Sequence, residues 1–173
     1  MRVIAIDPGN EFSALVVWDG EHVEFKLYAP NEEIRNWLKS CSAAAFAVRA
    51  GWVNAGGMSV PSLVIEMIGH YGLGMPAGKT VFDTCVWIGR FTECYGSELT
   101  ETILRPTVKT HLCGSARAKD GNVIQALKDR FGDKGTKGNP GVAYGMSGDL
   151  WQAWAVAVTW LDGQKCVNSE VSN

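Results

Sequence analysis

Val3-Ile4-Ala5-Ile6-Asp7-Pro8-Gly9-Asn10 is the stretch on which the reading of this 173-residue chain turns. Its first four residues are apolar and mostly β-branched, the composition of a buried strand. Pro8 has no N–H to give a ladder and Gly9 permits a tight turn, so the strand stops there with a carboxylate at its tip. The same pattern returns at Leu63-Val64-Ile65-Glu66, a second apolar strand ending in an acid. Either acid alone reads as a turn cap or a solvated side chain. Together they point to shared chemistry, because adjacent parallel strands lie ~4.8 Å apart and can bring both tips to one place. Two carboxylates so close raise each other's pKa unless a cation compensates them. A hard divalent ion with oxygen ligands does so, and Mg²⁺ favours one or two carboxylates with water and phosphate.

Downstream of Asn10, Phe12 to Trp18 and Val23 to Tyr28 read as strands joined by an Asp19-Gly20 hairpin turn. Pro30-Asn31-Glu32-Glu33 opens a helix carrying Ile34, Trp37 and Leu38, with acids in its first turn as the dipole prefers. Residues 41 to 61 read as a strand or short helix followed by a Gly-containing loop, and Gly69 to Gly78 as a second loop. Thr80 to Tyr95 is expected to be helical, Ile103-Leu104-Arg105-Pro106 a short strand, Thr107 to Leu112 a helical turn and Lys119 to Phe131 an amphipathic helix. Gly132 to Gly148 is expected as loop. Asp149 to Leu161 is a last helix, apolar almost all round and therefore buried or in an interface. Three strands in succession, then strands alternating with helices, give an α/β fold with a mixed sheet.

Composition narrows the function. With 46% hydrophobic residues and seven Trp the chain is globular, and no apolar run approaches the ~20 residues of a membrane span. One domain over 1–173 is expected, with a tail from about 163 outside the ordered part. No signal-peptide pattern is visible, so a cytoplasmic location is expected. Five scattered cysteines without a Cys-x-x-Cys pair, and three isolated histidines, argue against zinc or disulfides. Net charge is −2, but its distribution is uneven: residues 1 to 33 carry −5 and residues 105 to 137 carry +5. A local basic field can recruit a polyanion without making the whole chain basic.

The ordered set Ile6-Asp7-Pro8-Gly9, Ile65-Glu66, Lys109 to Val123 and Asp149-Leu-Trp-Gln-Ala-Trp-Ala-Val-Ala-Val-Thr resembles the RuvC Holliday junction resolvases, especially their phage-type branch. The resemblance spans nearly the whole chain. It implies a ribonuclease H-like fold, a mixed five-stranded sheet of three antiparallel opening strands and then parallel ones, flanked by helices. It also implies a homodimer that cuts four-way or related branched DNA by paired phosphodiester hydrolysis, leaving 5′-phosphates, as in DNA recombination. Asp7, Glu66 and Asp149 match three of the family's four acids, which hold two Mg²⁺ ions; Mn²⁺ is expected to substitute. The fourth position is Gln152, whose carbonyl can coordinate but carries no charge, and Asp120 is a further weak candidate. Lys109 and Lys119 match basic positions of the family, and Arg117 and Lys79 join them as phosphate contacts. Tyr71 is the candidate for stacking at the junction crossover.

Two other functions compete. Gly72-Leu-Gly-Met-Pro-Ala-Gly78-Lys79-Thr80 approaches a phosphate-binding loop, but Leu stands at 73 where that loop needs glycine. A nucleotide-binding phosphotransferase of the same broad fold normally needs a second lobe. A catalytically weak junction-binding protein is the third reading, suggested by Gln152.

Overall fold

A computed structural model describes residues 1–49, 60–69 and 78–171. Five strands form one sheet in the order β3-β2-β1-β4-β5: β1 is Val3–Asp7, β2 Phe12–Trp18, β3 Val23–Pro30, β4 Ser62–Met67 and β5 Thr100–Leu104. The first three pair antiparallel, and β4 and β5 add parallel to β1. This is the expected mixed sheet, with β1 at its centre.

The period-two alternation of the strands separates two cores. Ile4 and Ile6 of β1, with Leu15, Val17, Leu63 and Ile65, pack under helices α1 (Asn31–Arg49) and α2 (Lys79–Tyr95). Val3 and Ala5, with Ala14, Val16, Trp18 and Val64, face helix α5 (Leu150–Val171). α5 is buried along its whole first half because it lies on the sheet and packs against both α3 (Arg105–Cys113) and α4 (Asp120–Phe131). Trp154 is fully buried in an aromatic cluster, its ring 5.4 Å from that of Trp18 and 5.2 Å from that of Phe131. Trp151 and Trp160 are core residues here as well.

Three segments differ from the sequence-based expectation. α1 continues through 43–49, where a strand or separate short helix was open, because Ala43, Ala44 and Ala45 favour continued helix. α5 runs to Val171, past Leu161 where the last helix was expected to end; no proline interrupts it. A small hairpin, β6 (Gly135–Thr136) with β7 (Asn139–Pro140), stands inside the expected loop. It depends on glycines: Gly135 has φ +71°, and a Cβ at Gly141 would overlap the Asp133 carbonyl. Among the described residues no helix is long and apolar enough to cross a membrane.

Candidate active site

Strand parity decides where the two acids point. Asp7 shares its face with Val3 and Ala5, Glu66 shares its face with Val64, and both therefore project on the α5 side. Parallel pairing in the register Ile6↔Ile65 sets the next residues, Asp7 and Glu66, side by side at the strand ends. Glu66 is only 8% exposed and Asp7 is half-buried.

The turn that carries Asp7 is pinned from behind. The Ser13 hydroxyl donates to Asn31 Oδ1 at 2.6 Å, Asn31 Nδ2 donates to the Gly9 carbonyl at 2.9 Å, and the Gly9 N–H donates to Ser13 Oγ at 3.2 Å. The Asn31 backbone N–H also donates to the Glu11 carbonyl at 2.9 Å. Ser13 and Asn31 are each 1% exposed, so this closed loop of bonds works out of water. A Cβ at Gly9 would overlap the Phe12 carbonyl, so the close chain approach there requires glycine.

Electrostatics mark the same corner. Burial first, then the neighbouring Glu66 charge, push the Asp7 carboxyl up to about 8, with Asp149 and Asp120 adding to the rise and Arg105 opposing it. Burial also raises Glu66, although Arg105 Nη1 donates to its Oε1 at 2.7 Å. Arg105 Nη2 meets Asp120 Oδ1 at 2.9 Å, and Lys109 Nζ meets the same oxygen at 3.2 Å. Burial would raise Asp120, but the bonds and charges of Arg105 and Lys109 outweigh it and hold its carboxyl below the ordinary range. Arg105 is thus clamped between two acids, which favour its charged form against partial burial. Asp149 stands exposed just before α5, its carbonyl accepting the N–H groups of Gln152 and Ala153 at 3.0 Å each. Its charge reaches Asp7. Gln152 lies one turn on and is 7% exposed.

A cleft of ≈ 300 Å³ opens at this end of the sheet, lined by Asp7, Glu66, Thr80, Thr84 and Arg105 among others. The donor chemistry suits a hard cation: with Asp7, Glu66, Asp120 and Asp149 all ionised, four negative charges would stand against the two cations Arg105 and Lys109 among the described residues, an excess equal to the charge of one divalent ion. Among the described residues no three His, Cys, Asp or Glu side chains stand close enough to make a ready coordination shell. An ion held here would rest first on the adjacent Asp7 and Glu66, with water, substrate and a further acid drawn in to complete its shell, the habit of Mg²⁺.

The other expected contacts are dispersed. Arg117 and Lys119 lie exposed between α3 and α4 and make no ion pair among the described residues. Lys109 is half-buried on Asp120. Lys79 begins α2 and pairs with Asp83 at 2.6 Å. Tyr71, and the loop that approached a phosphate-binding motif up to position 77, lie outside the described residues. Arg105, Ser13 and Asn31 were not anticipated as parts of the site. A basic residue directly after an apolar strand was the only signal for the first; for the other two there was none, since their contacts span 18 and 22 residues.

No family model matches the sequence, and no curated protein matches it. Its structure does have counterparts. Thermus thermophilus RuvC in complex with a Holliday junction substrate superposes with a TM-score of 0.59 at 15% identity over 92% of each chain. A second Thermus thermophilus RuvC structure does so at 0.56 and 16%, again over 92% of both chains. With the sheet order β3-β2-β1-β4-β5 and its helical flanks, the chain has the RuvC-like, ribonuclease H-like fold.

Proposed function

We propose that this protein is a divalent-metal-dependent endonuclease that resolves four-way or related branched DNA by paired phosphodiester hydrolysis, leaving 5′-phosphates. The observation that carries the reading is the pairing of Asp7 and Glu66 on one face of adjacent parallel strands, within the field of Asp149. A fold shared with a resolvase solved on its junction supports it. Asp7, Glu66 and Asp149 would hold Mg²⁺, or Mn²⁺ in its place, and Gln152 and Asp120 would be secondary ligands. Bound there, the metal supplies Lewis-acid activation of water and stabilisation of the leaving oxygen. Gln152 brings no charge, and Asp120 is already engaged by two cations, so the second ion site would be the weaker one. Arg105 orients Glu66 and favours its ionised form against burial, while Lys109, Arg117, Lys119 and Lys79 would hold backbone phosphates and fix register without reading sequence. Two opposed nicks require two such sites, hence a homodimer, with Tyr71 the stacking candidate at the crossover. As a phage-type enzyme it would work in the cytoplasm, that of the bacterial host if phage-encoded.

Cleavage of a synthetic four-way junction with Mg²⁺ tests the proposal. Wild type should give paired, metal-dependent nicks, whereas Asp7→Asn and Glu66→Gln should bind the junction and leave it at least a hundredfold less cut. Equal cutting by all three proteins rejects the assignment. Binding without cutting by wild type would favour the junction-binding reading, for which the uncharged Gln152 and the Arg105 clamp on Glu66 speak.

A further inference from the structure

The sheet carries a second feature on the face that bears the acids. In the cross-strand register Asp7 pairs with Ala14, and Ala14 pairs with Tyr28. Asp7, Ala14 and Tyr28 therefore form one row across β1, β2 and β3, and Ala14 belongs to the α5-side core. Leu27 and Ala29 pack on the opposite core, which confirms the parity of Tyr28. Two strand spacings put the Tyr28 backbone about 10 Å from that of Asp7. Its ring stacks on Phe12, centroids 5.7 Å apart and planes 18° from parallel. Both rings remain wet: Tyr28 is 53% and Phe12 46% exposed. Lys26 lies on the same face two residues before Tyr28, half-buried against the turn at Gly145.

A cross-strand aromatic pair can simply stabilise a sheet. This pair leaves about half of each ring in solvent, flat, in line with the acids and beside a cation. From this placement we infer that Phe12 and Tyr28 form a stacking platform for a nucleobase of the strand bound at Asp7 and Glu66, with Lys26 meeting the adjoining phosphate. The inference rests on the nuclease reading and adds a binding subsite to it. The separation from Asp7 corresponds to about three stacked nucleotide steps of 3.4 Å. Aromatic stacking has no sequence preference, since every base has a π-face, so the platform grips an unpaired or distorted nucleotide of any identity.

The test uses the full chain and a fluorescently labelled synthetic four-way junction, with affinity measured across a salt series. The double variant Phe12→Leu/Tyr28→Leu keeps apolar surface and removes both rings; it should raise Kd about five- to hundredfold. The slope of log Kd against log salt should stay unchanged, because stacking releases no counterions. Phe12→Tyr/Tyr28→Phe should bind like wild type, and Lys26→Ala should lower the slope by about one. Unchanged affinity in the leucine variant, with wild type binding and cutting the junction, overturns the platform and leaves the nuclease reading standing. A change of oligomeric state on sedimentation with unchanged affinity also overturns it, in favour of a contact between two copies of this chain. Failure of wild type to bind the junction overturns both, whereas binding without cutting overturns the nuclease reading and leaves the platform to be decided by the leucine variant.

Discussion

Asp7 shows how one side chain can be costly for the fold and useful for chemistry. Its carboxyl titrates at about 8 in the folded chain against an ordinary value of 3.8, so between those pH values the folded form holds more protons than the unfolded one. Stability of the metal-free protein therefore falls as pH rises through that window. Asp7→Asn removes the dependence. In EDTA, melts of the wild type should drop from pH 5 to 8, while those of Asp7→Asn should be flatter and the variant more stable at pH 8 by about 1–3 kcal/mol. Added Mg²⁺ or Mn²⁺ should raise the wild-type melting temperature at pH 8 and leave the variant unmoved; parallel curves for both proteins would refute this. Glu66→Gln is a different kind of change. It leaves Arg105 with one acid instead of two, so this variant should gain no such stability.

At the scale of elements, the turn between β1 and β2 is held to the start of α1 by Ser13 and Asn31. Asn31→Ala strips partners from the Ser13 hydroxyl and the Gly9 carbonyl inside the protein, at a cost of about 2–3 kcal/mol. Chemical denaturation should show that loss, and junction cleavage should fall further than the fraction unfolded accounts for, because Asp7 rides on the freed turn. Cleavage that tracks folded protein alone would limit Asn31 to a structural role. This bracing was not legible in the sequence, where Ser13 is a polar residue in an apolar strand and Asn31 an ordinary helix-start residue. Asp7 and Glu66 were legible because an acid ending an apolar strand breaks a local pattern. Arg105 broke none: its role appears only when β4 and β5 pair Glu66 with Ile103 and the following turn carries the guanidinium back. α5 declared its burial through its unrelieved apolar composition, whereas its length beyond Leu161 had no apolar pattern to reveal it.

Across the whole molecule, the basic excess of residues 105 to 137 is smaller in space than in sequence. Arg130 makes paired bonds to Asp162, Lys128 reaches Asp133, and Arg105 and Lys109 are engaged at the candidate site. Of the other four, Lys134 lies over the Trp151 ring, while Arg117, Lys119 and Lys137 are exposed and make no ion pair among the described residues; Arg117 and Lys119 lead in the chain to Asp120. If both meet phosphates, Arg117→Ala/Lys119→Ala should weaken junction binding and reduce the salt slope by about two, with equal effect on junctions of different sequence. An unchanged slope would place the DNA elsewhere. The fold separates the two sets of residues. Asp7 and Glu66 sit on the parallel pair β1 and β4, whereas the exposed cations sit on a connecting turn and the rings on the antiparallel strands β2 and β3. If the proposed nuclease reading holds, cutting and grasping would diversify on independent schedules: a lineage would exchange its handholds to suit a new nucleic-acid shape without retuning the blade.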